Sequence, residues 1–306
     1  MHIPFQYRHQ LKLYEFMTDQ LVILAGGASS RMKNSSFPTL SKESIHQANS
    51  RSKALITINN RPMLDYVLFN AKQAGFKKIY LVTEIENELF KEYYGTKESN
   101  NAYQGLSISY AYQFTPKGRN KPLGTADAVC QALDQYSELR EQKFVVCNCD
   151  NLYSSEAFSL LRRSNASNAF INYDRDALQY SQDRIESFAL TKTDASNFLL
   201  DIIEKPTPET AQHYQDVNGK LRVSMNVFLF DGTMIYPFLK NCIVHPTRNE
   251  KELPSALLQM ITNHPKAMIG IPLSEHVPDL TSKSDILKMI EYLVSHQFHL
   301  DWTKMN

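Results

Sequence analysis

Along the chain, short apolar runs alternate with longer stretches of helical spacing. LVILAGG at 21–27 reads as a β-strand ending in glycines, and KKIYLVT at 77–83 as another. LSISYAYQF at 106–114 alternates with period two. Between them, RPMLDYVLFNAKQAGF at 61–76 puts Met63, Leu64, Val67, Leu68 and Ala71 at helical spacing, with Gly75 as its cap. GTADAVCQAL (124–133) predicts a helix and KFVVCNCD (143–150) a buried strand. This β-α-β-α-β rhythm predicts an α/β fold, a Rossmann-like and mainly parallel sheet flanked by helices. Further strands are expected at 168–174, 186–194, 198–205 and 222–231. Helices at 252–263 and 283–296 should flank a last strand at 267–273.

Two stretches depart from this rhythm. Residues 1–20 precede the first strand and are expected to be an N-terminal extension to a single domain over 21–306. Residues 32–53, rich in Ser, Asn and Lys, read as a loop, and 33–52 is expected to be a lid or an insertion. Its apolar content predicts that it does not pack by itself, which suits a mobile cover over a ligand.

Composition narrows the class. The 306 residues carry 33 Lys+Arg against 32 Asp+Glu, a balance that argues against coating nucleic acid by bulk charge. No run approaches the roughly 18 apolar residues of a membrane helix, and the N-terminus lacks an apolar signal-peptide centre. A cytoplasmic protein with no membrane partner is expected, and a homo-oligomer is left open. The four cysteines fit that compartment: Cys147 and Cys149 alternate on one strand face, and neither Cys130 nor Cys242 completes a zinc spacing. Reduced core thiols are the expectation.

Six segments could carry chemistry. In LAGGASSRMK (24–33), adjacent glycines after a buried strand let a ligand approach the backbone, and Arg31 offers a planar cation for phosphate. This is neither a GxxxxGK[ST] loop nor a GxGxxG fingerprint, which counts against an ordinary ATPase and an NAD enzyme. Lys53 precedes a short apolar run, where most lysines are simply solvated. KPLGTADAV (121–129) is a glycine-bearing loop entering a helix, able to offer backbone groups to a base or a phosphate. Asp150 ends a strand on the same sheet edge as Gly26, and a carboxylate there suits Mg²⁺ as well as it suits a turn. In DIIEKP (201–206), Glu204 could accept hydroxyl protons and Lys205 could meet a phosphate, or the two could form a surface ion pair. Asp279, before a helix start at Thr281 or Ser282, is a metal ligand or a capping residue on equal terms.

Read in order, the chain resembles the sugar-phosphate nucleotidyltransferase family through six motifs, from about Leu21 to about Ile290. AGGASSRM resembles its glycine-rich signature, SKALITINNRPMLDYVL its lysine-bearing segment, and PLGTADAV its base loop. CDN stands for its Gly-Asp metal motif, EKP matches unmodified, and SMNVFLFD resembles its sugar-side strand. The resemblance implies a nucleotide-diphospho-sugar transferase type of fold, with the sugar-side part at 151–231. It implies transfer of a nucleotidyl group from an NTP to a sugar 1-phosphate, with Mg²⁺ as cofactor. Arg31, Lys53 and Lys205 would then be catalytic cations. Ala25, Gly26, Gly27, Leu123, Gly124 and Thr125 would hold the nucleotide, Glu204 and Asn226 the sugar, and Asp150 and Asp279 the metal.

The chain departs from that pattern in three places. Cys149 replaces the glycine before the metal aspartate, and Asn226 stands where glycine is common. The 33–52 link is long, which leaves Lys33 as the alternative to Lys53. AGGASSRM also resembles nucleotidyltransferases of the molybdenum-cofactor type, but those are shorter, and EKP with the region beyond it fits the sugar enzymes better. A non-catalytic, regulatory relative would be expected to lose Arg31, Asp150, Lys205 or Asp279, and all four are present.

Overall fold

The structure is a computed structural model that describes residues 17–27, 29–246 and 248–305. Nine principal strands form one mixed sheet: β1 Gln20–Leu24, β2 Lys78–Thr83, β3 Leu106–Tyr112, β4 Lys143–Asn148, β5 Asn168–Asp174, β6 Ala189–Thr193, β7 Leu199–Ile203, β8 Arg222–Asp231 and β9 Met268–Leu273. Strands β3, β2, β1 and β4 lie side by side and run parallel, as the alternation of strands and helices predicts. Beyond β4 the long β8 runs antiparallel, and it pairs along its length with β4, β5 and β6. Parallel β9 then lies outside β5, and β7 pairs with β6.

Both faces of the parallel strands are covered, and the side chains show it residue by residue. Leu21 and Ile23 of β1 join Val145 and Cys147 of β4 in one core. Val22, Phe144 and Val146 face the other, where helices Thr125–Gln135, Gly232–Lys240 and Leu253–Asn263 pack. The helix expected near 61–76 spans Met63–Ala74 and ends at Gly75, whose φ of 97° closes it. All four cysteines are free and buried. No helix among the described residues is long and apolar enough to cross a membrane.

The 32–53 stretch corrects the sequence reading. It opens within helix Ser30–Asn34 and contains helix Lys42–Ser50, which is capped by the Ser41 side chain. Met32, Leu40 and Ala48 enter the core, and buried Gln47 accepts the Thr57 N–H at 2.9 Å. Few apolar residues suffice because a distant lysine does the fastening. The buried Lys283 ammonium donates to the carbonyls of Met32, Lys33 and Ser35 at 2.7–2.9 Å, taking up the open end of the first helix. Of the extension expected over 1–20, residues 1–16 lie outside the described residues. Residues 17–19 lead into β1, and Thr18 donates its hydroxyl to the Lys143 carbonyl.

Candidate active site

Strands β1, β2 and β4 end on one edge of the sheet, and a crevice opens outside those ends. Its first pocket, about 310 Å³, is lined by Ala25, Gly26, Gly27, Arg31, Lys53, Gly124, Thr125 and Asp150. The turn after β1 is set by the Ala25 N–H, which continues the ladder to Val82 O at 2.8 Å. A Cβ on Gly26 would stand 3.3 Å from the Thr83 carbonyl carbon, so the turn packs against β2. Gly124 is the more demanding glycine. Its φ is 113°, and a Cβ there would lie 2.5 Å from the Lys251 carbonyl oxygen.

That close approach explains how the neighbours of Gly124 are used. The Leu123 carbonyl accepts the Lys251 N–H, and Leu123 is not among the lining residues. The Thr125 hydroxyl accepts the Leu253 N–H at 3.0 Å, so Thr125 lines the pocket while its side chain braces the loop. Gln113, absent from the sequence reading, lines the same pocket and donates to Gly124 O at 2.9 Å. It follows β3 on the ligand edge, so the strand-end argument applied to Asp150 would have found it.

The centre of the crevice is a chain of charge. Lys53 donates to Asp150 at 2.7 Å, and its side chain is 12% exposed. Burial opposes its charge, but attraction and hydrogen bonding to Asp150, with help from Asp279, outweigh this and hold its pKa above the usual lysine value. Lys33 instead lines an adjoining depression with Glu84 and Glu86, which meets the first pocket at Ala25, Gly27, Ser29 and Ser52. Of the two lysines, Lys53 is the one that lines the first pocket beside Asp150. Asp150 and Asp279 are neighbours through backbone pairing: Asn151 bridges Asp279, and the Leu280 N–H reaches Asp150 O at 2.9 Å. Burial, then the charge of Asp150, raises the Asp279 carboxyl above the usual range, while Arg184 and Thr281 pull it down.

A second pocket of about 570 Å³ joins the first through Arg31, Asn148 and Asp150, which line both. Its wall includes Asp279, Glu204, Lys205, Asn226, Arg184 and Arg248. Two left-handed residues shape it. Lys205 has φ 48°, which turns the chain after β7 and lets both Glu204 and Lys205 line the pocket. Asn226 has φ 58° at a bulge, where residues 224–228 of β8 oppose 172–170 of β5. Asparagine tolerates this conformation better than any other residue except glycine, which accounts for the departure from glycine read in the sequence. Arg248 forms an ion pair with Glu204 and another with Glu252 at 2.6 Å. Burial and Glu252 raise the Glu204 carboxyl, and Arg248 opposes them.

Arg184 and Arg248 carried no signal in the sequence: each sits in a polar stretch that reads as surface. Cys149 lines the first pocket, and burial pushes its thiol up, away from the reactive thiolate form. Among the described residues no cluster of three or more metal-ligating side chains forms. Asp150, on the wall shared by the two pockets, and Asp279, on the wall of the second, offer two hard carboxylates, a donor set that fits a cation keeping waters and substrate phosphates as its other ligands.

Comparisons with known proteins agree with this geometry. Residues 20–271 match the family model described as nucleotidyl transferase. A D-glycero-alpha-D-manno-heptose 1-phosphate guanylyltransferase of Aneurinibacillus thermoaerophilus is 25% identical over 146 residues, 47% of this chain and 51% of that protein. The match thus spans about half of that relative's length. The crystal structure of a UDP-glucose pyrophosphorylase complexed with UDP-glucose superposes with a TM-score of 0.66 at 16% identity, covering 92% of this chain and all of that one. At that identity the likeness establishes the fold.

Proposed function

The chain belongs to the nucleotidyl transferase family, and on that premise we propose that it joins an NTP to a sugar 1-phosphate, releasing pyrophosphate. The observation that carries this reading is the joined pair of pockets, one built on glycine turns beside Arg31, Lys53 and Asp150 and one walled largely by charged side chains, with Arg31, Asn148 and Asp150 common to both. Two anionic substrates need two such pockets and cations where they meet.

In this reading the glycine turns at 25–27 and 124 receive the nucleotide. Glu204 and Asn226 face the sugar hydroxyls, and Lys205 and Arg248 face its phosphate. A phosphate oxygen of the sugar 1-phosphate attacks the α-phosphorus, the bond from that phosphorus to the β-phosphate oxygen breaks, and pyrophosphate leaves. The acceptor oxygen is already anionic, so no base is required of the protein. Arg31 and Lys53 place positive charge beside the triphosphate as the new bond forms. Asp150 and Asp279 would hold Mg²⁺, which supplies charge neutralisation and alignment of the phosphates. Free, buried thiols suit a cytoplasmic location.

The test is pyrophosphate release across five NTPs and a panel of sugar 1-phosphates with Mg²⁺. Release that requires one NTP and one sugar phosphate together, and stops with EDTA, is expected. Nucleotide binding without release for any pair would leave a binding protein instead.

A further inference from the structure

The metal-facing carboxylate Asp279 already has an occupant. Arg184, on the short helix Gln182–Ile185 between β5 and β6, donates through Nη2 to Asp279 at 2.8 Å and through Nη1 to Asp285 at 2.6 Å. Its guanidinium also lies over the Tyr180 ring at 4.3 Å. The side chains of Arg184, Asp279 and Asp285 are 18%, 11% and 2% exposed, so this is an enclosed clamp and not a solvated pair.

The two arms of the clamp are unequal. Asp285 is held from its far side, where its other oxygen accepts the N–H groups of Thr281 and Ser282 and the Ser282 hydroxyl. Asp279 has one further partner, the Thr281 hydroxyl at 2.8 Å. A guanidinium losing one partner would therefore keep Asp285 and Tyr180 and release Asp279. The released Nη2 would stand in the wall of the second pocket, which Arg184 already lines.

We propose that Arg184 gates the metal site: it neutralises Asp279 in the free protein, and a divalent cation is held between Asp150 and Asp279 only after Arg184 yields. The inference rests on the metal placement proposed above. Two cations competing for one buried carboxylate weaken each other reciprocally, so the free chain binds metal poorly. When nucleotide phosphates add their own oxygens to the cation, the balance tips. Arg184 then exchanges an internal carboxylate for a position facing the acceptor substrate. Metal loading and readiness for the second substrate become one event.

The measurement is binding of Mn²⁺ alone to the full chain, read by electron paramagnetic resonance of the free ion at about pH 8, above the carboxylate range. Arg184→Gln should bind Mn²⁺ about tenfold more tightly than the wild type, within the range of ordinary couplings. The gain should vanish in Arg184→Gln combined with Asp279→Asn, and in combination with Asp150→Asn. Unchanged or weaker affinity in Arg184→Gln, with binding still dependent on Asp150 and Asp279, overturns the gate alone. Binding indifferent to both aspartates, or none in any variant, overturns the metal placement and the gate with it. Should Arg184→Gln fail to fold, Arg184→Lys keeps the charge but cannot span both carboxylates. It should show a smaller tightening, and wild-type affinity there overturns the gate.

Discussion

Where the crevice faces the pocket proposed for the nucleotide, the chain presents turns: Gly26 packed on β2, Gly124 pressed against the Lys251 carbonyl, Gln113 bracing that loop. Where it faces the pocket proposed for the sugar, the chain presents charged side chains already engaged with one another, Arg184 on two aspartates and Arg248 on two glutamates. The first half thus offers backbone turns beside a close ion pair, Lys53 with Asp150. The second is a set of ion pairs, and the proposal above has substrate and metal exchanging partners with them. Of these pairs the Arg184 clamp is the enclosed one, and an enclosed charge cannot be left unpaired without cost, whereas Arg248 and Glu204 are each about a third exposed.

The largest effect should come from the seam between the halves. Asp150→Asn should lower turnover by about a hundredfold or more, and its unfolding midpoint should also fall, because the Lys53 ammonium loses its charged partner. Near wild-type turnover would remove Asp150 from the chemistry. Next, Lys205→Ala should weaken use of the sugar phosphate by roughly ten- to a hundredfold, the loss of one charge-assisted contact. Saturation with sugar phosphate at fixed NTP reads this out, and NTP affinity measured alone should stay put. A loss shared equally by both substrates would mean that the halves are not separate.

The first half is tested by Gly124→Ala, which should cost about 1–3 kcal/mol of stability through its positive φ and the clash with Lys251. Denaturant unfolding gives the stability, and NTP affinity should fall with it while sugar-phosphate contacts persist. An unperturbed midpoint would show that the loop is free to move.

The smallest effect concerns pH and belongs to the side-chain half. His276 lies behind Arg184, accepting the Gln179 N–H at 3.1 Å. Burial, then the charges of Arg184 and His296, push its imidazole down to about 4 from 6.5. The unfolded chain therefore takes up a proton at a pH where the native chain does not. The contribution of His276 is complete above about 6.5 and is lost as pH falls toward about 4. Thermal midpoints at neutral pH and near pH 5 should differ less for His276→Gln than for the wild type. Identical slopes would place the acid sensitivity elsewhere.

The parallel half was legible because its signals are local. The apolar run of β1 followed by two glycines, the helical spacing of 63–74 and Asp150 after a buried strand each follow from a few adjacent residues. The same reading failed at 42–50, whose helix depends on a serine cap and on Gln47 meeting Thr57, and at 32–35, which a lysine far along the chain fastens. It also passed over Arg184 and Arg248. An arginine in a polar stretch looks the same in sequence whether water or a buried carboxylate receives it.

Backbone conformation is chosen by neighbours a few positions apart, and burial by a period of two or 3.6. The sequence by itself therefore determined the principal strands, the helices near 63–74, 125–135, 253–263 and 284–295 and the glycine turns at which a ligand could sit, while helices Ser155–Arg162 and Gly232–Lys240 went unread. Charge pairing obeys no period. It depends on which distant segments the sheet topology brings within a few ångströms, and on how little water reaches them. Only the tertiary structure could decide that Lys53 meets Asp150, that Arg184 holds Asp279, and that a bulge in β8 turns Asn226 toward the crevice.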